Sequence, residues 1–184
     1  MHVTDRPLSL PLVPTLTRRQ WLAGCAALGL PWPAAAQSGP SSAAGSLPLL
    51  EGTAPGGGSV RLAAFRGQVV LVFYWATSCA VCRDKMAELR ANLAGWKGQP
   101  FAVLGVNLDA NLRDFLAYEG LVAQTVPESH RFTSVSEQSA GFRDSMGRPE
   151  HLPSACLIDK EGRLVERYSG RIPASTWDRI ADLL

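Results

Sequence analysis

The stretch WATSCAVC, residues 75–82, closes an apolar run that begins at Gln68 and places two cysteines two residues apart. The run, QVVLVFYW, is rich in β-branched and aromatic residues, which is typical of a strand buried on both faces of a sheet. After Cys79 the apolar residues recur near helical spacing as far as Trp96, where a GQP stretch ends the pattern. The sequence therefore predicts that Cys79 and Cys82 lie where a central strand passes into a helix.

This position suits the two cysteines to thiol chemistry. At a helix N-terminus the first cysteine lies beside unpaired backbone N–H groups, and the helix dipole stabilises its thiolate. Cys79 is therefore the predicted catalytic nucleophile. Cys82 lies one turn further on and can attack a mixed disulfide between Cys79 and a substrate, which releases the reduced substrate. Together they form the predicted redox-active disulfide, with Cys82 as the resolving cysteine.

Other interpretations of the cysteine pair are two buried core thiols, a permanent structural disulfide, or half of a zinc site. A four-ligand zinc site needs two further Cys or His at suitable spacing, whereas His130, His151 and Cys156 stand alone. A C-x-x-C that follows a strand within a β-α-β pattern favours redox chemistry. We therefore expect neither a metal nor a cofactor.

The segments after the cysteine pair continue the alternation of strand and helix. FAVLGVNLD, residues 101–109, predicts a second buried strand, and NLRDFLAYEGLV, residues 111–122, predicts an amphipathic helix. This β-α-β-α series favours parallel strands. Residues 123–135 show no clear period, and SEQSAGFRDSM, residues 136–146, predicts a short helix.

The C-terminal part predicts a hairpin and a helix. SACLID, residues 154–159, and RLVERYSG, residues 163–170, are separated by a short turn and should pair antiparallel. PASTWDRIADLL, residues 173–184, predicts a last helix. Upstream of the cysteines, LPLLEG, residues 47–52, predicts a strand. The length of 184 residues with 46% hydrophobic content suits one compact domain.

The segment GQVVLVFYWATSCAVCRDKMAEL, residues 67–89, resembles the active-site strand and helix of the thioredoxin superfamily, and within it the exported TlpA-like branch. HLPSACLIDKEGRLVERYSG extends the resemblance, with Pro153 at the place of the family's cis-proline. The likeness covers about residues 47–184. It implies an α/β thioredoxin-like fold with a central mixed β-sheet flanked by helices on both faces.

The resemblance also implies roles for residues outside the cysteine pair. In that family the cis-proline lies against the cysteines, and the backbone beside it pairs with a bound substrate strand. Leu152 and Pro153 would form this substrate-binding edge, which is recognition by β-augmentation. Trp75 resembles the family's tryptophan beneath the active site and is included among the substrate-binding residues.

The sequence departs from the family pattern at several positions. Phe73 stands where the family usually carries a buried acid or Asn, and Lys85 stands where TlpA-like proteins often show Glu. Proton transfer is therefore left to water or to Asp84 and Glu88. Cys156 replaces a residue that is more often Phe, which favours a buried, inert thiol.

The first 36 residues have the pattern of an export signal. Arg18 and Arg19 precede an apolar stretch at 21–30, and Ala34 and Ala36 supply an A-x-A cleavage pattern. The TRRQWL segment resembles a twin-arginine signal. Residues 37–46 are rich in Gly, Ser and Ala and predict a flexible linker. An alternative is that LAGC forms a lipobox, with Cys25 lipidated and anchored in a membrane.

Charge excludes one class of partner. Residues 1–36 hold three of the 18 basic and one of the 16 acidic residues, so the remainder is balanced at 15 each. A balanced domain lacks the basic surface that nucleic-acid binding requires. We expect no nucleic-acid partner and a monomeric protein.

The sequence thus predicts a periplasmic thiol:disulfide oxidoreductase that reduces protein disulfides through Cys79 and Cys82. An oxidising compartment would leave the pair oxidised, so we expect a membrane-linked thiol electron donor to re-reduce it. One alternative is a Cu(I)-binding chaperone of thioredoxin-like fold, with Cys156 or His151 assisting the pair. A further alternative is a peptide-binding or structural module that retains the cysteines without redox turnover.

Overall fold

The computed structural model describes residues 47–184, so the predicted signal at 1–36, with Cys25, and the linker at 37–46 lie outside the described residues. The strands in this part of the chain are β1 Leu50–Thr53, β2 Ser59–Arg61, β3 Val69–Trp75, β4 Phe101–Asn107, β5 Thr133–Ser136, β6 Arg143–Asp144, β7 Ser154–Ile158 and β8 Leu164–Ser169. The α-helices are α1 Ala80–Gly95, α2 Leu112–Thr125 and α3 Thr176–Leu183. Short 3-10 helices span Leu62–Phe65 and Glu128–His130.

The main sheet has five strands in the order β5-β4-β3-β7-β8. Strand β3 lies at the centre, parallel to β4 and antiparallel to β7. Strand β5 is parallel to β4, and β7 and β8 form the antiparallel hairpin that the sequence predicted. A second, three-stranded sheet has the order β2-β1-β6.

All seven residues of β3 are buried because both faces of the main sheet are covered. Alternate side chains point to opposite faces. On the first face, residues such as Leu71 and Trp75 pack with side chains from all three α-helices: Met86, Leu89, Phe115 and Ile180. On the second face, Val72 and Cys156 pack with residues of the small sheet and of the 3-10 helix at Leu62–Phe65.

The α/β thioredoxin-like fold, with a mixed sheet flanked by helices, is confirmed. The distribution of the helices differs from the expected one. Because β3, β4 and β5 are successive neighbours, the helices that connect these parallel strands pack on the same face. The second face carries the small sheet and one 3-10 turn in place of an α-helix. Within residues 47–184, no helix has the length and apolar character needed to span a bilayer.

The short helix predicted for residues 136–146 is wrong. The side chain of Ser136 accepts a hydrogen bond from Gln138 N at 3.1 Å, and Ser139 Oγ donates to Ser136 O at 2.7 Å. Such local bonds from serine compete with helix formation. Gly141 then adopts a φ of 73°, and the chain continues into β6, which pairs with β1. Strand β5 was also not foreseen, because its four residues TSVS carry little apolar signal.

Candidate redox site

The two cysteines of the C-x-x-C form a disulfide at the junction between β3 and α1. Their Cα atoms are 5.2 Å apart. Cys79 is the N-cap of α1, and its Sγ accepts a hydrogen bond from the backbone N of Cys82 at 3.1 Å. A free backbone N–H of the first helical turn therefore points at the sulfur, which stabilises negative charge on a Cys79 thiolate.

The two sulfur-bearing residues differ in exposure. Cys82 is fully buried in the core cluster of the first face, whereas Cys79 is half-buried at its edge. Ser78 and Ala80 beside Cys79 are exposed, and Val81 leaves 40% of its surface accessible. A disulfide of another protein can therefore approach Cys79 but not Cys82. The nucleophilic role of Cys79 and the resolving role of Cys82 stay predictions.

The turn that precedes Cys79 is held by a carboxylate that the sequence analysis did not single out. Asp109 accepts hydrogen bonds from Thr77 N at 2.9 Å and from Thr77 Oγ1 at 3.1 Å. Arg83 of α1 donates to the carbonyl oxygen of Thr77 at 2.5 Å. The sequence signal for Asp109 is the segment NLD, residues 107–109, at the end of β4. Because β3 and β4 are parallel neighbours, the residues that follow them meet at one edge of the sheet.

The loop before β7 carries the edge predicted for substrate binding. The peptide bond between Leu152 and Pro153 is cis, as the resemblance implied. Pro153 is buried, and half-buried Leu152 packs against the same core cluster as Cys79. Ser154 Oγ donates to the carbonyl oxygen of His151 at 2.6 Å, while the imidazole of His151 is exposed. No contact in this loop assigns a chemical role to His151.

Trp75 is a fully buried residue of the core cluster that also contains Cys82. Its indole ring packs against Tyr118 at 4.9 Å and Phe115 at 6.2 Å between ring centroids. A bound client strand therefore has no surface of Trp75 to contact.

The acidic residue Glu88 has partners that remove it from proton transfer. Lys85 Nζ lies 2.7 Å from Glu88 Oε2, and Trp177 Nε1 donates to Glu88 Oε1 at 2.7 Å. Although partial burial raises the pKa of this carboxyl, the hydrogen bonds from Lys85 and Trp177 outweigh it and leave the pKa below its usual range. Glu88 is thus an ionised structural partner. Asp84, on the same helix, is exposed.

Cys156 lies on the second face of the sheet and does not approach the redox pair. It is the free cysteine of the described residues, and 3% of its surface is accessible. Burial raises the pKa of its thiol, which the nearby Arg167 guanidinium, with NH1 3.5 Å from Sγ, only partly offsets. Next to it Tyr74 OH donates to Asp144 Oδ2 at 2.7 Å. Cys156, Arg167 and Tyr74 are among the residues that line a cavity of about 290 Å³.

The geometry also bears on the copper alternative. Cys156 could help Cys79 and Cys82 to bind Cu(I) only from the first face of the sheet. It packs instead in the cluster on the second face. Among residues 47–184, no group of three or more His, Cys, Asp or Glu side chains is arranged to hold a metal ion. A thiolate pair alone would have to supply the ligands for Cu(I).

Comparison with known proteins places this geometry in a family. A family model for AhpC/TSA proteins matches residues 44–169. The chain belongs to the AhpC/TSA family. The thioredoxin superfamily expected from the sequence is thereby confirmed at the level of family and fold.

Solved structures share the fold of this AhpC/TSA family member. A candidate thiol:disulfide interchange protein DsbE from Chlorobium tepidum is 26% identical, with a TM-score of 0.56, over 72% of this chain and 90% of that chain. A candidate thiol-disulfide oxidoreductase from Bacteroides vulgatus is 22% identical, with a TM-score of 0.60, over 76% and 94%. A secreted thiol-disulfide isomerase from Corynebacterium glutamicum is 22% identical, with a TM-score of 0.56, over 74% and 83%.

Proposed function

We propose that this protein is a periplasmic thiol:disulfide oxidoreductase that reduces disulfides in client proteins. The observation that carries the proposal is the asymmetric disulfide at the start of α1: a half-buried Cys79 whose sulfur accepts a backbone N–H, and a fully buried Cys82. A permanent structural disulfide has no need for a helix N-terminus at one sulfur. An attacking thiolate does, because the N–H lowers its pKa.

The reaction follows from the positions of the two sulfurs. In the reduced protein the Cys79 thiolate attacks one sulfur of a client disulfide, and the other client sulfur leaves as a thiolate. Cys82, now deprotonated, attacks Cys79 in the resulting mixed disulfide. The Cys79–Cys82 disulfide forms, the second client sulfur leaves as a thiolate, and the client has gained two electrons. Solvent supplies and accepts the protons.

Client binding is proposed at the loop that precedes β7. An extended client segment would pair with the backbone at Leu152, beside cis-Pro153, and bring its disulfide against Cys79. Exposed Val81 and Ala80 offer apolar contact on the other side of Cys79. These contacts are small, which suits transient binding of many clients.

The location and the electron supply form the second part of the proposal. We propose residues 1–36 as the export signal, 37–46 as a linker and 47–184 as the catalytic domain, with lipidation at Cys25 as the alternative. The apolar and arginine pattern of the first residues supports export. Since an exported reductase is oxidised at each turnover, we propose a membrane-linked thiol donor that reduces Cys79–Cys82 again.

The equilibrium reduction potential of the pair tests the proposed direction. Metal-free protein is equilibrated with buffers of reduced and oxidised glutathione, and the reduced fraction is measured by thiol trapping and mass spectrometry. We expect a potential near about −270 mV, the value typical of thioredoxin reductants. A potential near about −120 mV, typical of a strong oxidant such as DsbA, would show that the protein inserts disulfides.

A second measurement separates redox turnover from metal storage. Reduced protein is titrated with Cu(I) in the presence of a competing chelator, and insulin disulfide reduction is assayed in parallel. The proposal expects insulin reduction and no retention of Cu(I) against the chelator. Retention of one Cu(I) per chain with no insulin reduction would favour the copper chaperone. Client binding without turnover would favour a peptide-binding module.

A further inference from the structure

The turn between β3 and α1, residues 76–79, is held from both sides at a single residue. The N–H of Thr77 donates to Asp109 Oδ1 at 2.9 Å, and its carbonyl oxygen accepts from Arg83 NH1 at 2.5 Å. Thr77 Oγ1 adds a second contact with the carboxylate at 3.1 Å. The turn closes with a hydrogen bond from Cys79 N to Ala76 O at 3.1 Å. The peptide two residues before the nucleophile therefore has little freedom.

Asp109 is itself fixed. Its residue surface is 8% accessible, and its Oδ2 accepts from Asn107 Nδ2 at 2.7 Å while Asn107 Oδ1 accepts from Asp109 N. No Lys or Arg of residues 47–184 lies within ion-pair distance of this carboxylate. A buried carboxylate without a cationic partner depends on hydrogen-bond donors, and Thr77 supplies two of them. Carboxylate and turn thus hold each other.

We propose that Asp109 is a positioning residue for the nucleophile, acting through Thr77 to keep Cys79 Sγ against the N–H of Cys82. The inference rests on the proposed function. Nothing in the C-x-x-C itself fixes the Cys79 side chain in the reduced protein, because the disulfide that restrains it is then broken. The hydrogen bonds that hold Thr77 involve no sulfur, so breaking the disulfide removes none of them. They therefore preorganise the thiolate before a client arrives.

The consequence is measurable at the sulfur. When Asp109 no longer holds Thr77, the turn samples other conformations and Cys79 Sγ meets the N–H of Cys82 for a smaller fraction of time. The thiolate loses part of its stabilisation, so the pKa of the Cys79 thiol rises and its attack at neutral pH slows. The buried core of the first face does not include the Asp109 side chain, so the fold has other sources of stability.

The test compares Asp109→Ala, Asp109→Asn and Thr77→Val with wild type. The reduced proteins are alkylated with iodoacetamide between pH 4 and pH 10, and the rate at Cys79 is followed by peptide mass spectrometry. Insulin reduction is assayed on the same samples. Asp114→Asn is the matched control, because Asp114 is an exposed acid on the following helix whose side chain makes no hydrogen bond in the described residues. Circular dichroism verifies the fold of each variant.

We expect Asp109→Ala to slow Cys79 alkylation at pH 7 about tenfold and to shift the pH profile upward, because the helix N-terminus no longer reaches the sulfur consistently. Asp109→Asn should fall between this variant and wild type, since its amide oxygen can still accept the Thr77 N–H. Thr77→Val, which removes only the hydroxyl contact, should slow the reaction about twofold. Asp114→Asn should match wild type.

The outcomes separate this inference from the proposed function. If Asp109→Asn and Thr77→Val fold and show the wild-type pH profile, the positioning role is wrong, whether or not Asp109→Ala is stable enough to assay. If wild type does not reduce insulin but the alkylation profiles shift as expected, the proposed function fails and the positioning of Cys79 stands. A loss of rate with an unchanged pH profile would indicate a purely structural role and would also overturn the inference.

Discussion

Cys79 and Cys156 are both thiol residues of one domain, and their surroundings are opposite in nearly every respect. Cys79 follows the carboxyl end of β3 and caps a helix, where a backbone N–H meets its sulfur. Cys156 sits in the middle of β7, faces the second cluster and is buried. Backbone N–H groups in the middle of a strand are used in the sheet, so they cannot stabilise a thiolate.

This difference shows that position in the fold determines the surroundings of each cysteine here. A strand end that continues into a helix combines exposure with unpaired donors, and both favour the thiolate. A strand interior combines burial with satisfied donors, and both favour the neutral thiol. Arg167 lies within 3.5 Å of Cys156, yet the pKa of that thiol is still raised, because burial is the larger effect.

The largest expected effect is the loss of redox turnover when the pair is altered. Cys79→Ser should reduce insulin reduction by about 10³-fold or more, because no thiolate remains to attack the client. Cys82→Ser should instead accumulate a mixed disulfide between Cys79 and the client, which non-reducing gel electrophoresis detects. If Cys82→Ser turned over at the wild-type rate, the assignment of nucleophile and resolving cysteine would be wrong.

The next effect concerns stability on the second face. Tyr74→Phe should lower the free energy of unfolding by about 1–3 kcal/mol, because it removes the hydroxyl that donates to Oδ2 of the partly buried carboxylate of Asp144. Urea unfolding measures the change. Tyr168→Phe is the control, since the buried hydroxyl of Tyr168 has no hydrogen-bond partner within residues 47–184 and its removal should cost less. Equal losses in the two variants would contradict the importance of the Tyr74–Asp144 bond.

A smaller effect should appear at alkaline pH. Burial raises the pKa of the Cys156 thiol, so above the ordinary thiol pKa the unfolded chain releases a proton that the folded protein retains. Stability is therefore present below that pH and falls as the pH rises towards the folded-state pKa. Oxidised wild type should lose stability more steeply between pH 8 and 10 than Cys156→Ala, by at most about 1.4 kcal/mol per pH unit for one proton. Parallel curves would indicate that Cys156 titrates normally.

The smallest effect on catalysis should come from a substitution on the second face of the sheet. Cys156→Ala should keep insulin reduction within about twofold of wild type, because a buried neutral thiol on the opposite face does not enter the exchange. Steady-state kinetics with reductant in excess provide the measurement. A complete loss of turnover in a folded Cys156→Ala protein would restore a regulatory or metal-binding role for this cysteine.

Most of the main sheet could be predicted from local patterns. Strands β3 and β4 are long apolar runs, and the β7–β8 hairpin has a short turn between two strand patterns. Strand β5 and the segment at 136–146 could not, because β5 is polar in sequence and is stabilised by pairing with β4. The pattern of residues 136–146 predicts a helix, but the hydrogen bonds of Ser136 and Ser139 favour a turn after β5.

The residues of the candidate site also differ in whether the sequence could predict them. The cysteine pair was accessible from sequence because both residues lie within one strand-to-helix junction. Asp109 was not, because it meets Thr77 across 32 residues of chain. The burial of Trp75, which excludes direct client contact, likewise depends on α2, whose Phe115 and Tyr118 cover the indole.

By itself the sequence determined that Cys79, the proposed nucleophile, lies at a helix N-terminus, since a C-x-x-C after a buried strand needs only neighbouring residues to reach that position. The tertiary structure alone decided which face Cys156 occupies, which acid holds the turn before Cys79, and that all three α-helices pack on one face. The physical reason is that hydrogen bonds within a turn of helix are local. The strand order decides which strand ends lie side by side and which elements cover each face of the sheet. No short segment encodes that order.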